Sequence, residues 1–161
     1  MSALIEEAVL PALRENDVHF FRSDEEHVVV IPKPTATGAL LIHVWADDAA
    51  GEVILGAPLA RVPDENRAAV LELLNDLHTA IKPFIRYSLV GSQANVQVGC
   101  ELSCASNKPA LVALALSRIW QAVDVAEARI QSAARSGYSA ELSAVDEATR
   151  VLGEARSIPD A

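Results

Sequence analysis

The chain has 161 residues, of which 51% are hydrophobic and 22% are charged. This length and composition are typical of a single globular domain that buries a core without disulfides or structural metals. Acidic side chains outnumber basic ones by 22 to 13, giving a net charge of −9, and no two basic residues are adjacent. Because such a surface repels a phosphate backbone, we expect no nucleic-acid partner.

The cysteines and the apolar runs predict the compartment. Cys100 and Cys104 are too far apart on one strand for a disulfide, since their Cα atoms would be about 13 Å apart against a limit of about 7 Å. Reduced thiols predict a cytoplasmic protein. The start MSALIEEAVL has acidic residues where a signal peptide needs a basic one. The longest apolar run, residues 110–116, is shorter than the about 18 residues of a membrane span, so we expect none.

The first third of the chain predicts one helix and four strands. Residues 2–16 carry a helical apolar stripe, and Pro11 predicts a kink or a restart near residue 10 because it lacks an N–H group. Pro32, Pro34 and Gly38 predict a loop between the second and third strands. The predicted strands cover residues 17–22, 27–31, 39–46 and 52–59.

The following residues predict a central helix, a hairpin and two more helices. The central helix covers residues 63–81, the hairpin strands 84–89 and 95–102, the long helix about 106–137 and the last helix 139–154. The predicted order is α-β-β-β-β-α-β-β-α plus a C-terminal helix. This order predicts an α+β domain over residues 1–135, with helices packed on an antiparallel sheet, and a helix with a short tail over residues 136–161.

No residue pattern predicts catalysis. The histidines and cysteines lack the CxxC, HxxxH and HExxH spacings of metal sites, and the glycines form no phosphate loop. No serine lies in a G-x-S-x-G elbow. We interpret the adjacent carboxylates Asp47 and Asp48 as solvated turn residues. The sequence therefore predicts a protein without catalytic residues, cofactor or metal, which is not an enzyme.

Two groups of side chains are candidates for binding. Leu41, His43 and Trp45 alternate with apolar residues on one strand, so they lie on the face opposite the core, either under a helix or as an exposed apolar patch. We predict partner contact there. On the central helix, Val70, Leu74 and Leu77 belong to a wide apolar stripe that serves either the core or a dimer interface.

The central helix VPDENRAAVLELLNDLH, the order of elements and the IWQAVD stretch of the long helix resemble the bacterial YbjN family. The resemblance covers roughly residues 4–130 and is most specific at residues 67–78. There Asn75 matches the family's first Asn, whereas His78 replaces the second one. The family fold is similar to that of type III secretion chaperones. The resemblance implies a regulator or chaperone-like protein without a shared reaction, cofactor or catalytic set, and it implies a homodimer.

These observations together predict a non-enzymatic, homodimeric chaperone-like or adaptor protein that binds a protein or peptide client. The resemblance suggests that an extended client would add to a sheet edge and fill side-chain pockets. An alternative is a small-molecule-sensing domain with its ligand between the sheet and the long helix.

Overall fold

A computed structural model describes residues 2–80 and 85–136. Its helices are α1 (Leu10–Glu15), α2 (Arg67–Ala80) and α3 (Lys108–Ser136), with a π-helical segment, Ile5–Val9, before α1 and a 3-10 turn, Asp64–Asn66, before α2. The strands are β1 (Phe21–Arg22), β2 (Val28–Thr35), β3 (Gly38–Asp47), β4 (Glu52–Arg61), β5 (Ile85–Val90) and β6 (Gln93–Glu101). The predicted C-terminal helix, residues 139–154, lies outside the described residues.

The six strands form one sheet in the order β1-β2-β3-β4-β6-β5, and every neighbouring pair is antiparallel. The α+β class is therefore confirmed, as is the predicted order of elements from the first helix through α3. The strand predicted over residues 17–22 is shorter than expected, since only Phe21 and Arg22 pair with β2.

Pro11 interrupts the first helix as predicted. The chain is π-helical over Ile5–Val9, and the N–H group of Leu10 donates to the carbonyl of Ile5, after which α1 begins. Because Pro11 has no N–H group for the carbonyl one turn earlier, a local change of helix type accommodates it.

The prediction of a loop at Pro32 and Pro34 was wrong, because β2 runs through both prolines to Thr35. A two-residue turn then leads from Thr35 to its partner Gly38, whose φ is 142°. Thr35 and Gly38 close the hairpin as a hydrogen-bonded pair. Because hydrogen-bonded and non-hydrogen-bonded pairs alternate along the two strands, the nitrogens of residues 32 and 34 point away from β3. β1 pairs only with Val29 and Val30, so both prolines lie on an edge where no ladder donor is needed.

Asp48 caps the first helix from the β3–β4 turn. Its carboxylate accepts hydrogen bonds from the N–H groups of Leu4 at 2.8 Å and Ala3 at 3.0 Å, and from the Ser2 hydroxyl at 2.9 Å. The interpretation of Asp48 as a merely solvated turn residue was therefore wrong. The backbone N–H of Leu4, together with these other donors, lowers the pKa of the Asp48 carboxyl below its ordinary value.

We expect Asp48→Asn to lower the melting temperature at neutral pH, because the amide loses the charge that the helix start favours. A depressed pKa in the folded state stabilises the fold above the ordinary Asp pKa, and this stabilisation is lost as the pH falls through the folded-state pKa. The difference in melting temperature between wild type and variant should therefore shrink on acidification, which calorimetry between neutral pH and about pH 3 measures. A difference that stays constant down to the lowest pH would contradict the role of the charge.

Two side chains join α2 to the β5–β6 hairpin. The Arg67 guanidinium donates to the carbonyl of Gly91 at the hairpin turn. At the other end of α2, Nε2 of His78 accepts the backbone N–H of Tyr87 at 2.8 Å, and the two rings meet edge to face. An Asn, the residue that the family resemblance predicted here, also carries an acceptor. The segment that carried the resemblance therefore fixes α2 along the outer edge of β5.

The core lies between the sheet and the helices. Val70, Leu74 and Leu77 are buried in it, on a helix that packs against α3 and β5. The structure thus places all three inside the chain's own core. Further buried side chains come from α3, which packs on β4 and β6; they are Val112, Leu116, Ile119, Val123, Ala126 and Ile130.

Helix α3 spans 29 residues and, by length and composition alone, is long and apolar enough to cross a membrane. The core helix of a soluble protein passes the same test. In this fold, the apolar stripe of α3 packs against the sheet.

The far end of the β2–β3 hairpin leaves the sheet and rests on α3. β3 pairs with β4 only from His43 onward, so its first five residues are not paired with β4. Lys33 of β2 donates to Asp124 of α3 at 2.6 Å, and its ammonium lies 4.6 Å from the centre of the Trp120 ring. Beside this pair, the hydroxyls of Thr35 and Thr37 donate to the buried carboxylate of Glu127, which also accepts from Gln131 at 2.6 Å.

Candidate protein-binding surface

Alternation along the strands gives the sheet two unlike faces. The inner face carries buried residues such as Ile42, Val44 and Val53 and is covered by α2 and α3, while α1 packs on α3. The other face, called the outer face below, carries the residues between them. Within the described parts of the chain, none of the helices packs on it. Its larger apolar side chains include Phe21, Val28, Val30, Leu41, Trp45, Ile54 and Val90.

Trp45 is held in place on the outer face. Its ring stacks on His43 with the centroids 5.5 Å apart and an interplanar angle of 15°. Beneath it lies Gly56, where an added Cβ would come within 2.8 Å of the Trp45 ring carbon Cζ3. Glycine is therefore needed at position 56 for the indole to lie flat against the sheet. Because the ring is already fixed, a partner that contacts it loses little side-chain entropy.

The structure brings the three predicted partner-binding residues together on this face. Leu41 is 46% exposed and Trp45 is 39% exposed, while His43 is half-buried between them. Sequence reasoning missed Phe21, Ile54 and Gly56. The register supplies them, because Phe21 pairs with Val30, Ile54 with Trp45 and Gly56 with His43. Alternation within each strand could indicate which residues share a face. Only the order of the strands shows which residues of different strands lie side by side.

Both edges of the described sheet are poorly suited to adding another strand. On the β2 edge, beyond β1, Pro32 and Pro34 offer no N–H groups. On the β5 edge, the outward N–H of Tyr87 is already bound to His78. An extended client would lack these backbone donors. The structure therefore favours the outer face over the edges as a contact surface.

Burial affects two further titratable groups, Tyr87 and Cys100. Burial raises the pKa of Tyr87 to about 12, and its hydroxyl donates to the carbonyl of Ala122 at 3.1 Å. Burial also raises the pKa of the Cys100 thiol, and Cys104 is exposed; both cysteines are free. Among the described residues, no three His, Cys, Asp or Glu side chains gather as a metal site would require.

Comparison with known proteins identifies related sequences and folds. Residues 6–77 match the model of the YbjN family, described as "Putative bacterial sensory transduction regulator". The resemblance to the YbjN family is confirmed. The matched segment runs from the first helix to Leu77 and so includes Leu41, His43, Trp45 and Ile54 of the outer face. It ends before α3, so the IWQAVD stretch lies outside it.

Solved structures extend the similarity to more of the chain. The crystal structure of YbjN from E. coli is 16% identical, with a TM-score of 0.50, and the match covers 75% of this chain and 90% of that one. At this identity the likeness shows the fold. A chain of the heterodimeric ExoU–SpcU complex from the type III secretion system of Pseudomonas aeruginosa is 8% identical, with a TM-score of 0.44, and the match covers 70% and 92%. No curated protein matches.

Proposed function

We propose that this chain is a non-enzymatic, protein-binding adaptor of the bacterial cytoplasm that holds its partner on the outer face. The observation that carries the proposal is the exposed apolar surface around the fixed ring of Trp45. Sheet faces in soluble domains are ordinarily polar where they meet water. Contiguous apolar side chains on such a face are characteristic of an interaction site.

The chemistry of the surface suits a protein partner. Tryptophan is enriched among the residues that contribute most to binding between proteins, and such residues lie in well-packed, water-free centres. Trp45 lies on β3, with β1 and β2 on one side and β4 and β6 on the other. Leu41 and Ile54 extend the apolar surface from it. A partner placing a side chain beside the indole would therefore bury several apolar groups at once.

The adaptor is further proposed to work as a homodimer. With Val70, Leu74 and Leu77 buried in the core, the support comes from other exposed apolar side chains, namely Leu114 and Val125 of α3. These lie on the helical layer and leave the outer face available for the partner. Light scattering should then give a mass of about twice 17.1 kDa; a mass of 17.1 kDa at all concentrations would exclude the dimer.

The binding proposal is tested by two leucine substitutions of equal exposure. Leu41 on the outer face and Leu114 on α3 are each 46% exposed, so Leu41→Ala and Leu114→Ala remove the same chemistry from opposite sides. Partners captured from the native cytoplasm by wild type are identified and purified, and their affinities for both variants are measured. We expect Leu41→Ala to weaken binding about 5- to 30-fold, as for the loss of 1–2 kcal/mol, and Leu114→Ala to change it less than about twofold.

The same samples provide the control for assembly. Both variants are first compared by light scattering, so that an altered mass is not mistaken for lost contact with the partner. If Leu41→Ala and Leu114→Ala bind each partner as tightly as wild type, the outer face is not the binding surface.

A further inference from the structure

The outer face ends in a row of three carboxylates. Asp47, Glu52 and Glu101 are direct partners across β3, β4 and β6. Each lies two residues along its strand from Trp45, Ile54 or Gly99, so its side chain lies on the same face of the sheet. Trp45, Ile54 and Gly99 form the next row. Side chains paired in this way have Cβ atoms about 5 Å apart, and successive rows are about 7 Å apart. An acidic border therefore lies directly beside the apolar surface.

The pairing of three like charges does not stabilise the fold. Like charges directly opposite each other on a sheet are destabilising, whereas a Lys or Arg at one position would have been stabilising. Asp47 has a structural task, since its Oδ1 accepts from the N–H groups of Ala49 and Ala50. Glu101 accepts a hydrogen bond from the hydroxyl of Ser103 at 2.9 Å. Within the described residues, none of these three carboxylates forms an ion pair with a Lys or Arg.

The surface beside the row is open. Gly99 contributes no side chain, and the space where its Cβ would lie is empty of neighbouring atoms to 4 Å. The cross-strand partner of Gly99 is Ile54, and those of Ile54 and Glu52 are Trp45 and Asp47. A long side chain from outside can therefore lie along β6 over Gly99 and reach Glu101 while its neighbours contact Ile54 and Trp45.

We propose that the partner segment is a basic amphipathic helix, with apolar residues on Trp45 and Ile54 and Lys or Arg side chains over the carboxylate row. Residues three or four apart on a helix are about 5–6 Å apart, close to the separation of the apolar and acidic rows. The cations would relieve the repulsion between Asp47, Glu52 and Glu101. This inference rests on the proposed function, since it specifies the partner of the same outer face.

A synthetic amphipathic helical peptide of Leu and Lys serves as the probe, and its Leu and Glu counterpart serves as the charge control. Binding of each labelled peptide to the full chain is measured by fluorescence anisotropy at low and high ionic strength. The test variant is Glu52→Gln with Glu101→Gln, which leaves Asp47 in its turn. The matched variant, Glu65→Gln with Glu72→Gln, removes the same charge at two exposed positions remote from the sheet face.

We expect the Leu and Lys peptide to bind, more weakly at high salt, and the Leu and Glu peptide not to bind. Glu52→Gln with Glu101→Gln should weaken binding about 5- to 20-fold, while the matched variant changes it less than about twofold. Because the test variant removes like-charge repulsion, it should melt at or above the wild-type temperature, which excludes misfolding as the cause.

Two outcomes separate this inference from the proposed function. If Trp45→Ala weakens binding but the Glu52 and Glu101 variant behaves like its matched control, the outer face binds without using the carboxylate row, and only this inference fails. If neither variant affects binding of the probe and purified cellular partners bind Leu41→Ala normally, the proposed function fails as well. Equal binding of the two peptides, or no binding of the Leu and Lys peptide, overturns the inference.

Discussion

Leu77→Ala should destabilise the fold by about 2–5 kcal/mol, because it removes a fully buried side chain and leaves a cavity. Leu77 is 1% exposed and lies in the core cluster with Val70, Leu73 and Leu74. The sequence left open whether this stripe forms the core or a dimer interface. Its burial within a single chain predicts that the substitution changes the free energy of unfolding, measured by urea titration.

Leu71→Ala on the same helix is the matched control. Leu71 is 41% exposed, so the substitution should change the free energy of unfolding by less than about 1 kcal/mol. Light scattering completes the comparison, since Leu77→Ala should keep the wild-type mass at temperatures where it is folded. A folded Leu77→Ala variant of wild-type stability but lower mass would show that the stripe serves the dimer instead.

Asp124→Ala should destabilise the fold by about 1–3 kcal/mol, because it leaves the ammonium of Lys33 without its carboxylate. The Lys33 side chain is only 3% exposed, whereas that of Asp124 is 58% exposed, so water screens the pair on one side. The full penalty for breaking a buried ion pair is therefore not expected. The free energy of unfolding from urea titration gives the magnitude.

Lys33→Met, combined with Asp124→Ala, measures the energetic coupling between Lys33 and Asp124. Methionine fills the space of the aliphatic part of Lys33 and replaces the ammonium that lies over the Trp120 ring with an uncharged group. The double variant Lys33→Met with Asp124→Ala should consequently be more stable than Asp124→Ala alone. If the double variant is instead less stable by the sum of the two single effects, Lys33 and Asp124 are not energetically coupled.

The order of helices and strands could be predicted from the sequence because hydrophobic periodicity is a local property. The alternation through Ile42, His43 and Val44 and the helical stripe through Val70, Leu74 and Leu77 both correspond to what the structure shows. Pro11 allowed the interruption of the first helix to be predicted for the same reason, because a missing N–H group affects the helix within one turn.

Features that depend on distant parts of the chain could not be predicted. Pro32 and Pro34 are compatible with a strand only because β1 is two residues long and leaves that edge open. Asp48 acts on a helix start 44 residues earlier, at Leu4. The assembly of the outer face likewise needed the strand order. Leu41, His43 and Trp45 were found on one strand, whereas Phe21, Ile54 and the carboxylate row required the register of four others.

The poorly pairing edges of the sheet limit how copies of this protein associate. Pairing through strand edges is open-ended, because each added strand exposes a new edge for the next copy, and it leads to fibres. Contact through an outer face or a helical layer is finite, since a two-fold pair covers both contributing surfaces. The prolines on β2 and the bond from the Tyr87 N–H group to His78 disfavour growth through the strand edges, so the chain can expose an apolar face without offering an open-ended edge contact beside it.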